Sequence, residues 1–126
     1  MTTIRIGTRG SALALAQTRS VAAFLGAKGE VQTEIITIST EGDRSTESLA
    51  SLGGTGVFAS ALRDALLAGE CDAIVHSLKD LPTAAHPGLV IGAVPKRVDA
   101  RDALIARDAL TLDTLPAGAR VGTGSP

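Results

Sequence analysis

Tryptophan and tyrosine are absent from the 126-residue sequence, and phenylalanine occurs only twice. So few rings leave almost nothing on which bases could stack, which argues against RNA or single-stranded DNA as a partner. Charge of one sign is lacking as well: 12 basic and 13 acidic residues give a formal net charge of −1. No nucleic-acid or acidic-membrane surface is therefore expected. The single cysteine can form neither an internal disulfide nor a cysteine-based metal site. His76 and His86 have no partnering pair, so the spacing of a zinc site is missing and no metal is expected. Long hydrophobic runs are also lacking. The opening stretch MTTIRIGTRGSALALAQTRS holds at most five consecutive apolar residues before Gln17. That is too short for a signal peptide or a membrane span, and the expectation is a cytoplasmic protein.

What is present is ordinary for a soluble globular chain, with 44% apolar and 20% charged residues. The length is that of one domain, enough to bury a core. TIRIGT (3–8) alternates like a short strand. Ser11 can cap a helix from Ala12 to about Lys28, with Gly26 or Gly29 as its stop. VQTEIITIST (31–40) is β-branched and strand-like. Residues 58–68 place Phe58, Leu62, Ala65 and Leu66 on one helical stripe, and Gly69 follows as a C-terminal stop. AIVHSLKDLP (73–82) opens with Ala73, Ile74 and Val75, which read as a strand buried on both faces. GLVIGAV (88–94), DALIAR (102–107) and ARVGTGSP (119–126) read as further strands.

This alternation predicts an α/β domain with a mostly parallel, covered sheet. In PKRVDARD (95–102) charge and proline replace the apolar pattern, which marks a hinge. The expected organisation is a domain over 1–95 and the beginning of a second over 96–126, too short to be complete. Residues 39–56 lack a hydrophobic period over a length that is unusual for a loop, and read either as a surface excursion or as a lid. The GGTG at their end does not make a nucleotide site, since both GxxxxGK[ST] and GxGxxG are missing.

Ligands of open α/β sheets sit outside the carboxyl ends of the strands. Arg9 follows the first strand, Ser77, Lys79 and Asp80 follow the third, and Thr123 and Ser125 follow the last. Arg9 also adjoins a helix N-terminus, where free N–H groups favour an anion. These positions describe a cleft for carboxylates or phosphates with one acid in it. Plainer readings stand beside this one. Ser77-x-x-Asp80 matches a capping box, although Pro82 would break the helix it begins. Lys79 could pair with Asp80 in solvent, and Gln17 could be a surface amide. His76 reads as a satisfied histidine at the core edge rather than a catalyst. Cys71 reads as inert packing.

IRIGTRGSALALAQT, GGTGVFASAL, DAIVHSLKDLPT and ARVGTGSP, in this order and spacing, closely resemble the porphobilinogen deaminase (hydroxymethylbilane synthase) family. The resemblance covers the whole chain, and VHS-x-KD-x-P is its most specific motif. It implies a type II periplasmic-binding-protein-like domain and the start of a second similar one. It further implies a transferase of tetrapyrrole biosynthesis that joins four porphobilinogen units head to tail, releasing ammonia each time, on a covalent dipyrromethane cofactor. By the resemblance, Asp80 is the catalytic carboxylate that hydrogen-bonds the pyrrole N–H groups and opposes the developing positive charge. Ser77, Lys79, Asp80, Thr123 and Ser125 match cofactor-binding positions. Arg9, Ser11 and Gln17 match positions that hold substrate carboxylates, and Phe58 an aromatic near the reacting rings. The 39–56 segment matches a mobile active-site loop.

Departures from the pattern fall in and after that loop. Thr55 stands where the family often has lysine, and Ala59 and Ser60 where basic residues are common, which thins the positive field there. Family members are about two and a half times this long, have three domains and are typically monomeric. The resemblance places the cofactor-bearing cysteine in a C-terminal domain absent from this chain, so Cys71 is not that residue. The arginines expected to follow Pro126 are absent too, and the chain alone is expected to be inactive. The competing expectation is an anion-binding module of the same fold without catalysis.

Overall fold

The computed structural model describes residues 2–29, 31–39, 56 and 58–124. It divides into two compact units, Met1–Ile91 and Gly92–Pro126. In the first, strand β1 (Thr2–Thr8) leads into helix α1 (Ala12–Gly26), strand β2 (Val31–Thr37), helix α2 (Ser60–Leu67) and the short strand β3 (Ala73–Ile74). The three strands form one parallel sheet in the order β2-β1-β3. Thr2 to Thr8 run in register with Val31 to Thr37, whereas β3 pairs only Ala73 with Ile6 and Ile74 with Gly7.

Local sequence explains the elements. The β-branched run of β2 suits a pleated surface. α1 is rich in alanine and leucine, the best helix formers. It is capped by Ser11, whose hydroxyl accepts from the Ala14 N–H at 3.3 Å. α2 ends as its glycine foretells: Gly69 takes a left-handed φ of 73°, the Glu70 N–H reaches the Ala65 carbonyl at 2.9 Å, and the Gly69 N–H reaches Leu66 at 3.1 Å.

The core gathers around the middle strand. Ile6, Leu62 and Cys71 are almost fully buried, with Ala59 and Ala65 beside them. Gly7 belongs at the centre of this packing, because a Cβ there would lie 2.8 Å from Cys71 Sγ and 3.1 Å from Ile74 Cγ2.

Two expectations need correction. Ala73–Val75 is not buried on both faces: Ala73 is exposed and Ile74 and Val75 are half-buried, because among the described residues β3 has a neighbour on one side only. The runs 88–94, 102–107 and 119–126 form no strand among the described residues, and Ser125 and Pro126 lie outside those residues. A strand exists through its ladder of hydrogen bonds, and no neighbour among the described residues supplies one. Val90 and Ile105 are accordingly 92% and 90% exposed.

The second unit is built of turns. Arg107–Ala109 form a 3₁₀ turn in which Asp108 and Ala109 have φ of 55° and 54°. Thr111–Leu115 is closed by the Leu115 N–H on the Thr111 carbonyl at 3.0 Å.

Candidate active site

With β1 in the middle, the chain leaves it toward β2 on one side and later returns to β3 on the other. Connections therefore diverge between β1 and β3, the place where open parallel sheets leave a crevice for ligands. Arg9 follows β1 and the segment Val75–Asp80 follows β3, so both walls of that crevice carry polar groups.

The first wall is fixed by a buried hydroxyl pair. The Thr18 hydroxyl donates to the Ala14 carbonyl at 2.8 Å and lies 2.8 Å from the Thr8 hydroxyl; neither residue is exposed at all. This pins the first turns of α1 to the end of β1, and with them Arg9 and the capping Ser11. Sequence reasoning passed over Thr8 and Thr18. Their signal is the placement of Ser11, Ala14 and Thr18 on one helical face, directly after a strand ending in Thr8.

The second wall is held by Arg5 and Asp72. Their backbones continue the β1–β3 ladder, with the Asp72 N–H on the Arg5 carbonyl at 2.9 Å. The Arg5 N–H reaches the Asp72 carboxylate at 2.8 Å, and Arg5 Nη2 reaches its other oxygen at 2.7 Å. Hydrogen bonds from Arg5 hold the Asp72 carboxyl below the usual carboxylate range. The Val75 N–H then donates to the Gly7 carbonyl at 3.0 Å, and Leu78–Asp80 curl into a 3₁₀ turn beside Ser77.

These walls bring most of the expected residues together. Arg9 Nη1 lies 3.3 Å from Asp80 Oδ2, with side chains 16% and 17% exposed. Its guanidinium carbon stands 3.9 Å from the centre of the Phe58 ring, a cation over an aromatic face. The Ser77 hydroxyl donates to Gln17 Oε1 at 2.6 Å. That contact decides two of the plainer readings: Ser77 makes no side-chain cap, and Gln17 is a half-buried partner of the site rather than a surface amide. Asp80 pairs with Arg9 rather than with neighbouring Lys79. Arg9, Ser11, Ser77, Lys79 and Asp80 all line a cavity of about 230 Å³. His76 completes its polar lining, while Leu13, Ala14 and Val75 give it an apolar side.

Thr123 lies in the second unit at an exposed position. Ser125, Thr55 and the bulk of the 39–56 segment fall outside the described residues. Among the described residues, no group of three His, Cys, Asp or Glu side chains could hold a metal ion, and no helix is long and apolar enough to cross a membrane.

Residues 4–126 match the family model described as porphobilinogen deaminase, dipyromethane cofactor binding domain. The chain belongs to the porphobilinogen deaminase family. It is 64% identical over 123 residues to the porphobilinogen deaminase of Leifsonia xyli, a match covering 98% of this chain and 37% of that protein. Identity to the Micrococcus luteus porphobilinogen deaminase is 66% over 126 residues, all of this chain and 33% of the relative. For that of Cutibacterium acnes it is 60% over 126 residues, all of this chain and 37% of the relative. The chain thus spans roughly a third of the length of the curated relatives it matches.

The family cofactor's chemistry can be set against the cavity. A pyrrole bearing carboxylate side chains needs an acceptor for its ring N–H and cations or hydroxyls for its acids. Asp80 could accept the ring N–H, and Arg9, Lys79, Ser11 and Ser77 could hold the acids. The donor set fits. Cys71 stands apart from it: the thiol is buried in the sheet beside Gly7, and burial pushes its pKa up, which suits packing and not attachment.

Proposed function

We propose that this chain is the N-terminal part of a hydroxymethylbilane synthase of tetrapyrrole biosynthesis, acting in the cytoplasm as a monomer. Residues 1–95 make up most of a type II periplasmic-binding-protein-like domain, and 96–126 begin a second. One observation carries the reading. A sheltered carboxylate, Asp80, sits at the β1–β3 divergence beside a cation held over an aromatic ring.

Porphobilinogen loses ammonia when its aminomethyl C–N bond breaks and the electron pair of the pyrrole nitrogen fills the vacancy. Positive charge then spreads over the ring and the methylene carbon. Asp80, fixed in place, accepts the pyrrole N–H and stabilises that charge without having to reorganise. Arg9, Ser11 and Gln17 hold the acetate and propionate side chains of the incoming substrate, with Phe58 next to the ring. Ser77, Lys79 and Asp80 hold dipyrromethane. That group, joined through a cysteine outside this chain, supplies the covalent primer from which the tetrapyrrole grows. Each charge-assisted hydrogen bond to a carboxylate is worth about 1.5–3 kcal/mol.

The test uses a chimera in which residues 1–126 replace the matching region of the Leifsonia xyli relative. Asp80→Asn keeps the size and removes the charge; it lowers turnover of porphobilinogen on the order of 10²–10³-fold while the chimera stays folded. The 126-residue chain alone gives no turnover. Near-normal turnover by Asp80→Asn would defeat the assignment of Asp80. Tight binding of simple carboxylates with no preference for porphobilinogen would favour a non-catalytic anion-binding module instead.

A further inference from the structure

His76 lines the cavity yet takes no part in the binding proposed above. Its half-buried ring has Nε2 3.2 Å from the Phe58 carbonyl oxygen and Nδ1 3.2 Å from the Ser77 carbonyl oxygen. Carbonyl oxygens only accept, so a ring nitrogen bonds either one by carrying a hydrogen; a neutral imidazole serves one of the two and an imidazolium both. The contact to Phe58 is the long-range one, spanning 18 residues. It ties the turn that enters α2 to the segment that carries Asp80. In that turn the Ala59 and Ser60 N–H groups both fold back onto the Gly56 carbonyl, at 2.8 and 3.0 Å. Phe58 then presents its ring 3.9 Å from the Arg9 guanidinium, and Arg9 reaches Asp80 at 3.3 Å.

We infer that His76 is a positioning residue: through a hydrogen bond from Nε2 to the Phe58 carbonyl, it holds the aromatic platform that orients Arg9 toward Asp80 and toward an arriving carboxylate. The attraction between a cation and a ring depends on the cation lying over the face. A shift of the backbone at Phe58 therefore releases Arg9 even though neither Arg9 nor Asp80 has changed. The consequence for an arriving carboxylate rests on the function proposed above; the link from His76 through Phe58 to Arg9 does not.

Two variants separate the ring nitrogens. The amide nitrogen of His76→Gln occupies the place of Nε2 and keeps the bond to Phe58. That of His76→Asn occupies the place of Nδ1 and keeps only the bond to Ser77. In the 126-residue chain, the Arg9 side-chain protons over Phe58 show an upfield ring-current shift by NMR, and a dispersed amide spectrum checks the fold. The unsubstituted chain and His76→Gln retain that shift; His76→Asn loses most of it. Equal loss in both variants, or retention in both, would overturn the inference. Imidazole ¹⁵N shifts of the unsubstituted chain test the bond without any variant: Nε2 carries a hydrogen, and a bare Nε2 would refute the bond. In the chimera, His76→Asn raises KM for porphobilinogen by roughly fivefold or more with kcat within about twofold, as loss of uniform binding requires, and His76→Gln restores it. A fall in kcat alone would count against positioning. A chimera that ignores porphobilinogen altogether would defeat the proposed function, while the ring-current comparison still decides the role of His76.

Discussion

Met1–Ile91 and Gly92–Pro126 both carry runs of branched apolar residues, but they dispose of them differently. In the first unit Ile6 and Leu62 are 1% and 0% exposed, packed where a middle strand meets a helix. In the second, Ile105 and Val98 are 90% and 86% exposed. The contrast lies in partners rather than composition. β1 has strands on both sides and a helix pinned to its end, so Ile6 is covered, whereas Val90, in the same unit but outside any strand, is not. The second unit holds itself by short-range turns, which satisfy backbone groups without covering hydrocarbon. A pattern of residues can propose a strand, but only a neighbour completes it.

The largest break in this comparison comes from truncating one residue in each unit. Leu62→Ala leaves a cavity in the packed core and costs about 2–5 kcal/mol, enough to unfold much of the first unit. Ile105→Ala, already in solvent, costs under about 0.5 kcal/mol. Urea denaturation followed by circular dichroism reads both, and comparable losses would show that Ile105 has partners of its own.

A hydroxyl pair sharpens the contrast at smaller scale. Thr18→Val removes the buried donor between Ala14 and Thr8 and costs about 1–3 kcal/mol. In the second unit, the exposed Thr114 hydroxyl accepts from the Thr111 N–H at 2.8 Å. Water replaces that bond, so Thr114→Val stays within about 0.5 kcal/mol. The same denaturation curves report both changes, and a neutral Thr18→Val would remove the hydroxyl pair from the account of how α1 is seated.

The smallest effect is electrostatic. The Arg5 side chain, through its hydrogen bonds, lowers the pKa of Asp72, and Arg101 does the same for Asp99. A carboxyl whose folded pKa lies below its unfolded value contributes stability above the unfolded value and loses it as pH falls through the folded one. Both pairs are exposed, but Arg5–Asp72 closes 67 residues of chain and Arg101–Asp99 only two. Acid titration of the unsubstituted chain shows stability declining from the ordinary carboxylate pKa downward. Asp72→Asn flattens part of that decline, and Asp99→Asn flattens it less, because a contact between residues two apart also forms in the unfolded chain and lowers the carboxyl pKa there too. Equal flattening by the two variants would dissolve the distinction between a long-range clamp and a local turn.

The sequence made some of this legible and hid the rest for identifiable reasons. β1, α1, β2 and α2 announce themselves through period, caps and Gly69, because those signals are local. Arg9, Ser77 and Asp80 could be placed at strand ends by the α/β rule, and the cavity brings them together. The Arg9–Phe58 and Ser77–Gln17 contacts join residues 49 and 60 positions apart, and no local rule selects such partners. The strands expected at 88–94 and 102–107 fail for the converse reason: β-branched content describes a residue's fitness for a ladder and not the presence of one.

Gly7 and Cys71 have a consequence for time as well as space. The thiol is 2% exposed and fills the room a side chain at Gly7 would need. An alkylating reagent needs both access and a thiolate, and the closed seam between β1 and the segment entering β3 denies both. Modification must wait until the packing around Cys71 opens. The rate at which Cys71 is alkylated therefore counts how often that packing opens, and the chain's one thiol serves as its own clock.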